Sequence, residues 1–152
     1  MRVLIQRVKR GSVTIAGEEY SRIGRGIVIL LGVKCDDTEE DAKYLAYRSA
    51  NLRIFEDQNN KMNLSLLDIN GEALVVSQFT LYADTKKGHR PSYTEAAPPE
   101  LAVTLYNSFC DYLSETIGKE KIKTGQFRAM MDVEIINDGP VTIAIESKGK
   151  SG

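Results

Sequence analysis

The chain of 152 residues is poor in the groups on which many enzymes rely. It has one histidine, His89, and two cysteines, Cys35 and Cys110, set far apart. One imidazole all but excludes a His-rich metal site and leaves little material for a Ser-His-Asp hydrolase. The two cysteines form no metal or redox motif, and with no signal-like start they are expected to be reduced thiols in a cytoplasmic protein. The longest apolar run, Ile27 to Leu31, is far too short to span a bilayer. A formal net charge of -1 gives no global basic field, so any nucleic-acid contact has to be local. No repeat and no linker divides the chain, and its length suits one domain with a sizeable core.

What is present is mostly strand. Met1 to Val8, Ser12 to Ala16, and Tyr20 to Ile23 read as three strands, with Gly17 turning the chain between the last two. Ile27 to Val33 reads as a central strand, and short connections favour an antiparallel meander. Asp36-Asp37-Thr38 announces a helix over about 38–51, capped by Thr38 with Glu39, Glu40 and Asp41 in its first turn. Leu52 to Phe55 reads as a short strand, and Met62 to Ile69 as a mixed segment before the Asn70-Gly71 turn. Pro98-Pro99 suits the start of a second helix, whose stripe is Leu101, Leu105, Phe109, Leu113 and Ile117, with Gly118 at its end. Ile122–Phe127, Met131–Ile136 and Val141–Ile145 read as three closing strands. The expectation is a single β-rich α/β domain over 1–147, with mixed and antiparallel sheets of about eight or more strands and two main helices, and a mobile tail over 148–152.

Two stretches stand out. Ala73 to Val76 is an unbroken apolar run that reads as a strand buried on both faces, and it continues into Ser77-Gln78-Phe79-Thr80-Leu81-Tyr82. If the two-residue period holds to Tyr82, Gln78 and Thr80 share one face, and Ser77, Phe79 and Leu81 the other. Polar side chains at the end of a core strand are either reaching the surface or facing a cavity. The second stretch is Asn137-Asp138-Gly139-Pro140-Val141-Thr142, which by its residue types reads as a hairpin connection. Between them lies the basic loop Lys86, Lys87, His89 and Arg90, either a solvated loop or a phosphate contact.

Taken together, Ser77 to Leu81 and Asn137 to Thr142 resemble the signature pair of the D-aminoacyl-tRNA deacylases, enzymes that cut D-amino acids from mischarged tRNA. Met1–Val8, Asn51 to Asp57, Lys61–Leu67, Arg90-Pro91 and Ala96 to Pro99 look like the same family. The resemblance implies that groups of Ser77, Gln78, Phe79 and Thr80 carry catalysis. Main-chain atoms would hold the ester carbonyl, and the substrate's ribose 2′-hydroxyl would take part. It implies substrate binding and chiral selection by Asn137, Ala97, Phe127, Met131, Gly139 and Pro140, with Gly139-Pro140 cis. It also implies a homodimer in which each Gly-Pro reaches the partner's pocket, with no metal and no cofactor. Lys86, Lys87 and Arg90 are the candidate tRNA phosphate contacts. The chain departs from the family at Phe127-Arg128-Ala129, where Gly usually follows the Phe; Arg128 either reshapes the pocket for the terminal adenosine or adds a phosphate contact. Thr80 is the nucleophile candidate on side-chain grounds, but no base lies near it in sequence. The competing readings are a non-catalytic nucleic-acid or small-ligand module, and a hydrolase of another ester using Thr80.

Overall fold

Two parallel strands without a polar face form the centre of the molecule. In the computed structural model, which describes residues 1–148, β3 (Gly26–Gly32) and β6 (Glu72–Ser77) run side by side with Ile27 opposite Ala73 and Ile29 opposite Val75. Their side chains alternate between two cores. Ile27, Ile29, Leu31, Ala73 and Val75 enter the larger one, while Val28, Leu74 and Val76 enter the smaller. At the start of the pair, Gly26 lies so close to β6 that a Cβ there would sit 1.8 Å from the Glu72 carbonyl oxygen.

Around this pair the described residues form a mixed sheet in the order β2 (Glu18–Ile23), β1 (Arg2–Ile15), β3, β6 and β7 (Ile122–Thr124), and β8 (Asp132–Glu146) also pairs with β1. A small second sheet joins β4 (Phe55–Glu56) to β5 (Met62–Leu64). Helices α1 (Glu39–Asn51) and α2 (Pro99–Ile117) cover the larger core, α2 through the expected stripe of Leu105, Phe109, Leu113 and Ile117. The other face is closed by β8 and the residue before it, with Met131, Val133 and Ile135 packed against the cluster that holds Val8 and Val13. The eight strands and two α-helices among the described residues make the single mixed α/β domain expected.

Three expected elements are corrected. The first two expected strands are one, β1, which pairs with β3 through Val8 and with β2 from Gly11 onward. The last two are also one: β8 runs antiparallel to β1 along its whole length, so Asn137 to Thr142 is a bulge inside a strand and not a hairpin. The strand from Ala73 ends at Ser77 instead of Tyr82, and Phe79–Tyr82 is a turn of 3-10 helix. The alternation proposed for Gln78, Thr80, Phe79 and Leu81 therefore does not exist. The meander is antiparallel only through β3, since β3–β6 and β6–β7 are parallel. Of the expected tail, residues 149–152 lie outside the described residues. Lys148 itself is ion-paired with Asp36, Asp37 and Asp41.

Thr38 caps α1 as anticipated, through a reciprocal box in which the Thr38 N–H donates to the Asp41 carboxylate at 2.8 Å. Burial alone would raise the Asp41 carboxyl. The Thr38 N–H, Ser147 and Lys148 more than reverse this and bring it down to about 2. A carboxylate depressed on folding stabilises above its unfolded value and loses that contribution as pH falls through the folded one. Stability should therefore drop between about pH 4 and pH 2. In urea titrations across that range, Asp41→Asn should show a shallower decline than the parent.

Candidate active site

The parallel arrangement fixes where a site can lie. β3, β6 and β7 end on the same side of the sheet, at Gly32, Ser77 and Thr124. In α/β sheets the crevice beyond the carboxyl ends of parallel strands is the usual place for a ligand. A pocket of about 640 Å³ opens there, lined among others by Val33, Val76, Ser77, Gln78, Phe79, Ala97, Phe127 and Met131.

Three connections build its walls. After β6, the Gln78 N–H donates to the Leu31 carbonyl at 2.8 Å, the last bond to β3 before the chain curls into the 3-10 turn. The Leu81 N–H returns to the Gln78 carbonyl at 3.2 Å, and the Ala83 N–H to Thr80 at 3.1 Å. A turn of this kind leaves its first N–H groups without internal partners, and among the described residues no hydrogen bond engages the main-chain N–H of Phe79 or Thr80. The Phe79 ring is 57 % exposed and meets Tyr93 edge-to-face at 5.0 Å. The second wall precedes α2. Here the Ala97 N–H donates to the Val33 carbonyl at 2.9 Å and the Cys35 N–H to Glu95 at 3.0 Å, so Ala96 and Ala97 lie against the end of β3. The third follows β7: the Gly125 N–H donates to the Val75 carbonyl at 3.2 Å, and residues 126–129 turn tightly with Arg128 at φ 67. Behind Phe127, the buried Tyr106 hydroxyl donates to the Val75 carbonyl at 2.7 Å; burial raises this phenol beyond its usual range and keeps it neutral.

Seven of the residues singled out from sequence thus converge on one pocket: Ser77, Gln78, Phe79, Ala97, Phe127, Arg128 and Met131. Thr80 is exposed beside it, and its hydroxyl accepts a hydrogen bond from the Gln78 side-chain amide. An amide donor cannot take its proton. Lys86, Lys87 and Arg90 lie on an exposed loop pinned by the Asp84–Ser92 bridge, outside the pocket lining. Among the described residues there is no group of three or more His, Cys, Asp or Glu side chains that could hold a metal ion.

Asn137, Gly139 and Pro140 do not line this pocket. They form the β8 bulge, in which Arg7 alone faces the four residues from Asp138 to Val141. The Gly139-Pro140 bond is cis, and Gly139 holds φ 123, a conformation that favours glycine. The bulge is braced from both sides. The Asn137 amide donates to the Thr142 hydroxyl at 3.1 Å and accepts from the Val141 N–H at 3.2 Å. The buried Arg7 guanidinium donates to the Asp138 carbonyl at 3.1 Å and the Ile54 carbonyl at 2.7 Å, and pairs with the Asp138 carboxylate at 3.4 Å. Gly139 and Pro140 are thereby presented outward, both exposed. Sequence reasoning missed Arg7. The available signal was a lone charge within the otherwise uncharged run Val3 to Val8.

The described residues thus form a mixed α/β domain with a mostly apolar pocket at the ends of its parallel strands, and no His, Cys, Asp or Glu lines that pocket. The comparisons agree with this architecture. The family model described as D-Tyr-tRNA(Tyr) deacylase matches residues 4–146. Curated relatives named D-aminoacyl-tRNA deacylase include one from Thermosipho africanus, 54% identical over 97% of this chain and 98% of its own. Another, from Roseiflexus castenholzii, is 57% identical over 97% and 92%. A solved structure described as a c-Myc DNA unwinding element binding protein superposes with a TM-score of 0.92 at 46% identity, covering 96% of this chain and 98% of that one. A probable eukaryotic D-amino acid tRNA deacylase, 18% identical over 95% and 98%, has the same fold with a TM-score of 0.84. The chain belongs to the D-Tyr-tRNA(Tyr) deacylase family and is a hydrolytic enzyme.

Proposed function

We propose that the protein hydrolyses the ester joining a D-amino acid to the 3′-terminal ribose of tRNA, releasing both, and that it rejects L-amino acids through the main chain of Gly139-Pro140. The observation that carries this reading is the 3-10 turn at Phe79–Tyr82, whose first N–H groups border a mostly apolar pocket with no His, Cys, Asp or Glu among its lining residues. An aminoacyl ester is already activated. Donors aimed at the developing oxyanion and a held water suffice, and the neighbouring ribose 2′-hydroxyl takes part from the substrate's side.

Discrimination follows from geometry at Cα, where L and D forms exchange hydrogen and side chain. A rigid carbonyl occupying the L side-chain position excludes it without recognising any D side chain, so varied D-amino acids and glycine are accepted. Gly139-Pro140 is exposed on its own subunit and absent from its own pocket. This supports a homodimer in which each bulge enters the pocket of the other subunit. The exposed Phe79, Tyr93 and Met130 at the pocket suit burial by such a partner. Lys86, Lys87 and Arg90 then meet the tRNA backbone, and the enzyme acts in the cytoplasm as a quality-control step of translation.

The test is hydrolysis of D-tyrosyl-tRNA by the purified protein, run beside Thr80→Ala. Turnover by the variant should stay within about threefold of the parent, because the Thr80 main-chain N–H survives the change. A loss of several orders of magnitude would instead make the hydroxyl the nucleophile. No hydrolysis by the parent would refute the deacylase reading.

A further inference from the structure

Among the described residues, one charged side chain lines the pocket. Arg128 stands among apolar and small polar neighbours, exposed, and has no ion pair or hydrogen bond among the described residues. The other surface cations of the chain include several with carboxylate partners, as with Arg2, Arg10 and Arg22. Its backbone is also held at φ 67, a left-handed conformation that is strained for an arginine and unstrained for glycine. A residue without packing or pairing to its credit, kept in a conformation better suited to glycine, gives no stability argument for its presence. Phe127 and Met131 on either side of it face the same pocket.

We infer that Arg128 is a substrate-positioning residue whose guanidinium binds the phosphodiester on the 5′ side of the tRNA's terminal nucleoside. This rests on the deacylase reading, under which the substrate brings an aminoacyl ester, which adds no anion at its main chain, and one nucleoside into an otherwise uncharged pocket, followed by a phosphate. A planar guanidinium suits two oxygens of that group. An acidic D-side chain is the other anion the substrate could bring, and the experiment separates the two.

Equilibrium binding of adenosine 5′-monophosphate and of adenosine would be measured by calorimetry for the parent, Arg128→Gln and Arg128→Gly, with thermal melting as the folding control. Arg128→Gly suits the φ at this position and should fold. The parent should prefer the phosphorylated nucleoside by about tenfold, and both variants should lose that preference. On aminoacyl-tRNA, the slope of log kcat/KM against log salt should become shallower by about 0.7 in Arg128→Gln, equally for D-tyrosyl and D-aspartyl esters. Equal preference in parent and variants would overturn the assignment, as would a loss confined to the D-aspartyl ester. A parent that prefers the phosphate but cleaves no D-ester would leave Arg128 in place and refute the deacylase reading instead.

Discussion

Arg7→Met should cost about 3 kcal/mol of stability in urea unfolding and lower D-aminoacyl-tRNA hydrolysis by at least about tenfold. Methionine fills much of the same space, so the loss is one of polar contacts. Without the guanidinium, the Ile54 and Asp138 carbonyls and the Asp138 carboxylate have no donor in the interior. The carboxylate is partly exposed, and water screens some of its share; the buried Ile54 carbonyl and the part-buried Asp138 carbonyl carry most of the cost. The consequence for activity is geometric. Arg7 is the one β1 residue facing the whole Asp138–Val141 bulge, and losing it frees Gly139 and Pro140 to move. Chirality selection should suffer more than binding. Arg7→Lys, which keeps the charge without the fork, should restore part of the stability and less of the selectivity.

Ala97→Phe should reduce kcat/KM for D-tyrosyl-tRNA by about a hundredfold or more while leaving the melting temperature nearly unchanged. The Ala97 N–H is fixed to the Val33 carbonyl, so the backbone at this position cannot swing away. Its side chain borders the pocket between the end of β3 and the start of α2. A phenyl there takes volume that the proposed substrate needs, and it buries no polar group in doing so. An unaltered rate would mean that the ester does not enter this pocket.

Both helices and the central strands were legible in the sequence because their signals are local. Thr38 followed by three acidic residues marks the start of α1, and the four-residue recurrence from Leu101 to Ile117 marks α2. Unbroken apolar runs rich in β-branched residues marked β3 as a central strand and β6 as one buried on both faces. What was not legible depends on distant partners. Lys9 and Arg10 are exposed where β1 changes neighbours, so one long strand read as two. Phe79 to Tyr82 carries strand-forming side chains, but β3 has no residue left to pair with it beyond Gly32, and the chain turns. Asn-Asp-Gly-Pro has the composition of a hairpin, yet β1 continues past it and Arg7 fills the gap. The pocket residues were reached through the resemblance of two motifs, and neither motif revealed Arg7.

The central claim is that a fixed stretch of main chain tells mirror-image esters apart by occupying one position at Cα. Matched hydrolysis curves for D-tyrosyl-, L-tyrosyl- and glycyl-tRNA with the purified protein test it most directly. The account predicts cleavage of the D-ester at least about a hundredfold faster than the L-ester, with the glycyl ester also cleaved. Comparable rates for the D- and L-tyrosyl esters would contradict it.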